Sequence, residues 1–415
     1  MLRLPRGSAA LPVVLALEVV TSVSQGTPWV GEWNWTLDYA IGSTVLTGPL
    51  VAGVAGWLAA AERDRADLND STPRSWLVPA RAAGSAATVG LLGWVVGLVL
   101  ALLATASVRH GGPVAAAVLL LVPLLLAFYA ALGATVGHLV PVRVVVVLVP
   151  VAAFVLGSLS LWGLGPNVLR QGPTTGTLAG LTWDVRVVLA QAAVLGGAVV
   201  ALLAGVASRG LRRRPRVLVP LVTGAALVVG GLASLEAHGS ESFVASGERA
   251  TACTSTVPAV CVAPSNRRAL DAVGREVARA AEVLRAAGAA LPSSYVAEVA
   301  RAPRQPGAGF FALGPEANRT DFSVFDAAHA VTMPAPCPAW FAERPPPEVA
   351  FVARELIAAW VLGRLGKDAP DAVPGAAAWR RATPASQQAA WVVHTFAQLR
   401  SCDLGTIRLP WRPAG

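Results

Sequence analysis

Residues 48–65 read GPLVAGVAGWLAAAERDR, and the change of character inside that stretch decides what kind of chain this is. From Gly48 to Ala61 every residue is small or apolar, and then Glu62, Arg63, Asp64 and Arg65 follow in succession. The apolar sequence reaches back to Tyr39. Residues 39–61 therefore have the roughly 20-residue length that carries a helix across a hydrocarbon core of about 30 Å. The charged quartet marks where that helix leaves the bilayer. Beyond it lie Leu68 and Ser71-Thr72-Pro73-Arg74, where Ser71 or Thr72 is placed to cap a short amphipathic helix along the membrane surface.

The same pattern repeats on either side. Further apolar runs occupy 84–108, 113–141, 143–165, 185–208 and 217–235, and a weaker one, interrupted by Glu18, occupies 4–23. Arg3 and Arg6 resemble the start of a signal peptide, but no small-residue cleavage site precedes Trp29, so the first run is expected to be a retained span. Glu18 is expected to sit shallowly or to pair within the bundle. The chain is 54% hydrophobic and only 14% charged, against about 25% charged in soluble domains, so it is too apolar to be soluble throughout. The apolar runs all end by Leu235, which places a domain boundary there. The expected architecture is mainly α: a polytopic transmembrane helical bundle over 1–236, followed by a soluble α+β domain over 237–415.

Seven spans put the two chain ends on opposite sides, and arginines orient them. With the N-terminus inside, twelve arginines fall in the internal segments (Arg3, Arg6, Arg63, Arg65, Arg74 and Arg81, then Arg143, Arg209, Arg212, Arg213, Arg214 and Arg216) and three, Arg109, Arg170 and Arg186, in the external loops. The C-terminal domain is thereby expected outside the cell membrane. This asymmetry absorbs much of the +9 net charge and argues against nucleic acid as a partner. All four cysteines lie in the C-terminal part, as disulfides in an oxidising compartment would require. Cys253 and Cys261 flank a short proline-containing loop and are the first choice of pair, leaving Cys337 with Cys402. The rival reading, a metal site, lacks a C-x-x-C spacing.

The 48–65 segment, with Leu68 and Thr72-Pro73-Arg74, resembles the permease subunits of type-two ATP-binding-cassette (ABC) transporters from high-GC bacteria. The resemblance covers the span layout of the membrane half and the residues of this one segment. It implies a six-span unit that pairs with itself or a relative, driven by a separate cytoplasmic ATPase, in which Glu62, Arg63, Asp64, Arg65 and Arg74 form the coupling surface. The seventh span departs from the family and is expected to tether the outer domain. The sequence supports the need for a partner ATPase, because a phosphate-binding loop requires G-x-x-x-x-G-K-[ST] and the only lysine, Lys367, is followed by Asp368, so this chain does not hydrolyse ATP by that route. A bundle of this kind implies no cofactor. The alternative function is a membrane-anchored extracytoplasmic binding or sensory protein. A membrane-tethered enzyme ranks third.

In the C-terminal part, Ser265 or Asn266 is expected to cap a helix through Leu284, with strands at 295–300 and 322–325. Pro345, Pro346 and Pro347 are expected to open a helix running to Val361, and a last helix is expected over 385–399. The helix running to Val361 contains RELIAAW, residues 354–360, which resembles the zinc helix of gluzincin peptidases, H-E-x-x-H followed by Trp. Arg354 and Ala358 stand at the two histidine positions and only Glu355 and Trp360 match. Neither arginine nor alanine offers a neutral nitrogen ligand, so the likeness implies a domain that binds or packs without a metal. His329 and His394 are expected to be isolated, structural or surface residues. The glycosylation-like tripeptides at Asn34 and Asn318 are expected to be chance matches.

Overall fold

The structure, a computed structural model, describes residues 29–66, 77–106, 115–140, 144–161, 180–210, 215–238, 242–299, 305–313, 322–340, 346–368 and 375–411, together with Pro12, Val13, Ala16, Val168 and Leu178. Most of the expected first span with Glu18, the loop holding Arg74, and Asn318 lie outside the described residues. The chain divides into two compact units, one ending at Val244 and one beginning at Ala245, and Leu178, Gly180 and Leu181 belong to the second.

The first unit is helical: α1 (Trp33–Gly42), α2 (Thr44–Ala66), α3 (Leu77–Ala106), α4 (Leu121–Leu139), α5 (Val145–Leu161), α6 (Val185–Gly210) and α7 (Pro215–His238). Among the described residues, five helices are long and apolar enough to cross a membrane: α1 and α2 together, α3, α4 with its 3-10 lead-in, α6 and α7. Of the expected 143–165 span, the described helical part is α5, residues 145–161. Side chains such as Leu100, Leu103, Val147, Val151, Val219 and Val229 remain exposed on the outside of the bundle while Ile41, Leu121 and Leu126 fill its inside. Helices apolar on all sides are what a lipid solvent selects.

The first of these spans starts six residues before the expected Tyr39, at Trp33, because Asn34, Thr36 and Asp38 are buried rather than solvated. Asn34 accepts a hydrogen bond from the Ala115 amide, so its glycosylation-like tripeptide lies inside packed helix. The join at Ser43 has a local cause. The Ser43 and Thr44 hydroxyls donate to the carbonyls of Ala40 and Ile41, and such back-bonding bends helices.

Small residues set the helix spacing. On α4, Gly133 and Gly137 lie one turn apart against Ala52 and Gly56 of α2, so close that a Cβ on either glycine would overlap the α2 backbone. Gly197 of α6 and Gly224 of α7 meet in the same way. Without a hydrophobic drive inside lipid, close backbone approach is the main source of helix association.

The second unit is α+β. Its sheet has the order β3 (Ala252–Cys253), β4 (Ala259–Val262), β5 (Ser294–Ala297) and β6 (Gly309–Phe311), antiparallel at the first pairing and parallel at the other two. The strands β1 (Leu181–Trp183) and β2 (Phe243–Ala245) form a separate two-stranded ribbon. The crossover between β4 and β5 is α8 (Leu270–Ala286), whose Val273, Val277, Ala280 and Leu284 pack on Val260, Val262 and Tyr295. Neither Ser265 nor Asn266 caps it with a side chain, contrary to expectation. Both belong to a 3-10 turn led by Pro264, and the Ser265 amide is taken by the distant carboxylate of Glu248.

Residues 322–325 are not a strand. Ser323 is the N-cap of α9 (Val324–Ala330), and its reciprocal bonds with Asp326 form a capping box that overrides the β preference of Phe322, Val324 and Phe325. The remaining helices are α10 (Glu348–Arg364), α11 (Ala376–Ala382) and α12 (Ala385–Ser401). Both disulfides have the expected pairing. Cys253 faces Cys261 across the β3–β4 register, and Cys337 joins Cys402 at the left-handed end of α12.

Candidate functional site

Two places gather the chemistry. The first is the charged end of α2. Nη1 of Arg63 donates to the carbonyls of Gly137 and Val140, at 3.2 and 2.8 Å. These oxygens belong to the last turn of α4 and to its C-cap, where carbonyls have no helical partner and the helix dipole is negative, so a guanidinium is stabilised there. Arg63 therefore ties the end of α2 to the end of α4, two turns beyond their glycine contact. Glu62 is half-buried beside it, and Asp64 and Arg65 continue the helix. Arg74 lies outside the described residues.

The second place is a cleft of about 730 Å³ in the C-terminal unit. Its floor is β6, with Phe310 and Phe311, and its two sides are α9 and α10. Pro347 precedes α10, Glu348 sits in its first turn and Arg364 in its last, which suits the helix dipole. On α10 the positions i, i+3 and i+4 share a face. They are Phe351, Arg354 and Glu355, and all three line the cleft. On α9, Phe325 and His329 stand one turn apart and face them.

Arg354 is fixed by two contacts, the second of them itself braced. Its guanidinium lies 4.9 Å over the Trp340 ring, its Nε donates to Oγ1 of Thr332 at 3.3 Å, and the Thr332 hydroxyl in turn donates to the His329 carbonyl at 2.7 Å. The Phe351 ring meets the Trp340 ring edge-on at 5.0 Å. Burial pulls the Arg354 guanidinium below its ordinary value, the negative charge of Glu355 opposing this.

Glu355 pairs with Nδ1 of His329 at 3.4 Å. The hydrogen bond from His329 holds its carboxyl below the usual range, partial burial pushes the other way, and the charges of His329 and Arg354 lower it further. The His329 ring also packs on Phe325, with centroids 4.6 Å apart. Its expected isolation is thus corrected. It is a member of the cleft, brought to Glu355 by the α9–α10 packing, and no spacing in the sequence announces that. His394 is exposed on α12.

Of the zinc-helix positions, Arg354 and Glu355 are in the cleft, whereas Ala358 is 1% exposed and packed in the core beneath. Among the described residues no further His, Cys, Asp or Glu joins His329 and Glu355 in a group able to hold a metal ion. What the arrangement offers chemically is an aromatic recess with charges of both signs held at fixed points. Such a recess suits binding.

Residues 260–402, which include the whole cleft, match a family model described as a domain of unknown function, DUF7224. No curated protein and no solved structure matches the chain.

Proposed function

We propose that this chain is the membrane-spanning subunit of an ABC transporter, exporting its substrate with the energy of a separate cytoplasmic ATPase. The observation that carries the reading is the charged end of α2. A residue segment resembling the family's coupling loop emerges from an apolar helix, and its Arg63 is bound to the end carbonyls of α4. Force applied to Glu62, Arg63, Asp64 and Arg65 would reach two spans at once, through Arg63 and through the glycine contact behind it. Arg74 completes the proposed surface by resemblance.

In this reading six spans form the transport unit, α7 is the tether, the N-terminus is cytoplasmic and the C-terminal unit is extracytoplasmic. The arginine asymmetry and the two disulfides support that sidedness independently of each other. The partners are the ATPase, a second permease subunit in a homo- or heterodimer, and the lipid bilayer.

The test is co-purification of the tagged chain from its own membranes in mild detergent. A stoichiometric ATPase subunit is expected. Replacing Arg63, Asp64 and Arg65 together by alanine should cut its recovery roughly tenfold or more, as losing several charged contacts from one interface does, without lowering the yield of the membrane chain. An Arg63→Lys variant should retain most of it. Absence of any ATPase overturns the reading and favours the second one, an extracytoplasmic binding or sensory protein anchored by the bundle, for which the cleft is the supporting observation.

A further inference from the structure

Five phenylalanine and tryptophan rings line the cleft of the C-terminal unit. Phe325 and Phe351 leave 40% and 42% of their surface open on its two sides, with Phe310, Phe311 and Trp340 deeper in. Open aromatic faces grouped around a recess of this size are characteristic of a small-molecule site. The face of an aromatic ring is electrically negative and attracts cations. One such contact is already made here, by Arg354 over Trp340.

The charges point the same way. Among the described residues, three carboxylates border the cleft, those of Glu298, Asp326 and Glu355, against the guanidinium of Arg354 and the imidazole of His329. Asp326 is turned to its own helix start and receives the Ser323 amide and hydroxyl, and Glu355 is shared with His329. Glu298 stands exposed just past the end of β5. Arg354 is anchored on Trp340 and Thr332, which spends much of its capacity on the wall. An anionic occupant would meet the acidic excess. A neutral one would strip water from these carboxylates without compensating them.

We propose that the cleft binds a small organic cation, an amine or quaternary ammonium group on an apolar body, with Glu298 and Glu355 facing the charge and the rings of Phe325 and Phe351 facing the body. This inference does not rest on the transport reading: the ATPase can be absent while the cation binds, and the reverse.

The test uses the full chain in detergent micelles and benzyltrimethylammonium as the probe, titrated calorimetrically against a micelle blank. Saturable binding with a Kd on the order of 0.1–1 mM is expected for a ligand of that size. Glu298→Gln, at an exposed position that leaves folding intact, and Phe351→Leu should each weaken it by about 3-fold. The anion 3-phenylpropionate should not bind. The proposal is overturned if the cation shows no saturable binding, if neither substitution changes its affinity, or if 3-phenylpropionate binds and Arg354→Met abolishes that binding.

Discussion

The pair formed by His329 and Glu355 makes the C-terminal unit sensitive to acid in a definite direction. A carboxyl whose folded-state pKa is lowered contributes stability above its unfolded value near 4.3, and that contribution is lost as pH falls through the lower folded value. The Glu355 carboxyl is lowered chiefly by the hydrogen bond from His329. Glu355→Gln should therefore be less stable than the parent at pH 6, and the gap should narrow steadily as pH falls below about 4.3. The side chain is 44% exposed, so solvent screens the pair and the gap should stay well under 1 kcal/mol. Urea unfolding of both proteins across that pH range, read by tryptophan fluorescence, checks it; a gap that widens in acid would refute the assignment. Arg354 and Glu355 were legible in the sequence because RELIAAW invites comparison with a known helix. His329 was not, because its role depends on where α9 lies against α10, and its own neighbours along the chain are ordinary helix.

Among the elements, the α2–α4 contact is the most demanding. A Cβ at Gly133 would overlap the backbone at Ala52, whereas one at Gly84 of α3 would meet nothing within 4 Å. Gly133→Val should thus cost about 1–3 kcal/mol or more through overpacking. Gly84→Ala should be neutral or slightly stabilising, since alanine is the better helix former by up to about 1 kcal/mol. Thermal aggregation of the two variants in detergent, compared with the parent, distinguishes them; equal midpoints would contradict the contact. The spans were readable because length and apolarity are additive along the chain. Their ends were less so: hydropathy discards Asn34 and Asp38, which the bundle buries. The strand expected at 322–325 failed because one serine and one aspartate, three residues apart, outweighed the β preference of their neighbours. The strand β4 was hidden inside what reads as a cysteine loop.

At the scale of the whole molecule, the two disulfides differ in what they constrain. Cys337–Cys402 closes a separation of 65 residues and Cys253–Cys261 one of 8. Loop-closure entropy gives about 4 and 2.5 kcal/mol respectively. Serine at both Cys337 and Cys402 should therefore lower the unfolding midpoint of the C-terminal unit more than serine at Cys253 and Cys261, by scanning calorimetry of the full chain; the reverse order would refute it. The pairing was legible from cysteine placement, whereas the composition of the unit was not. Glu248 receives the amide of Gly180 as well as that of Ser265, and Gly180 lies before α6, two helices upstream in the chain. A segment carrying only residues 245–415 into a new host would arrive without the Gly180 strap, and its Glu248 carboxylate would keep the Ser265 amide but lose the other.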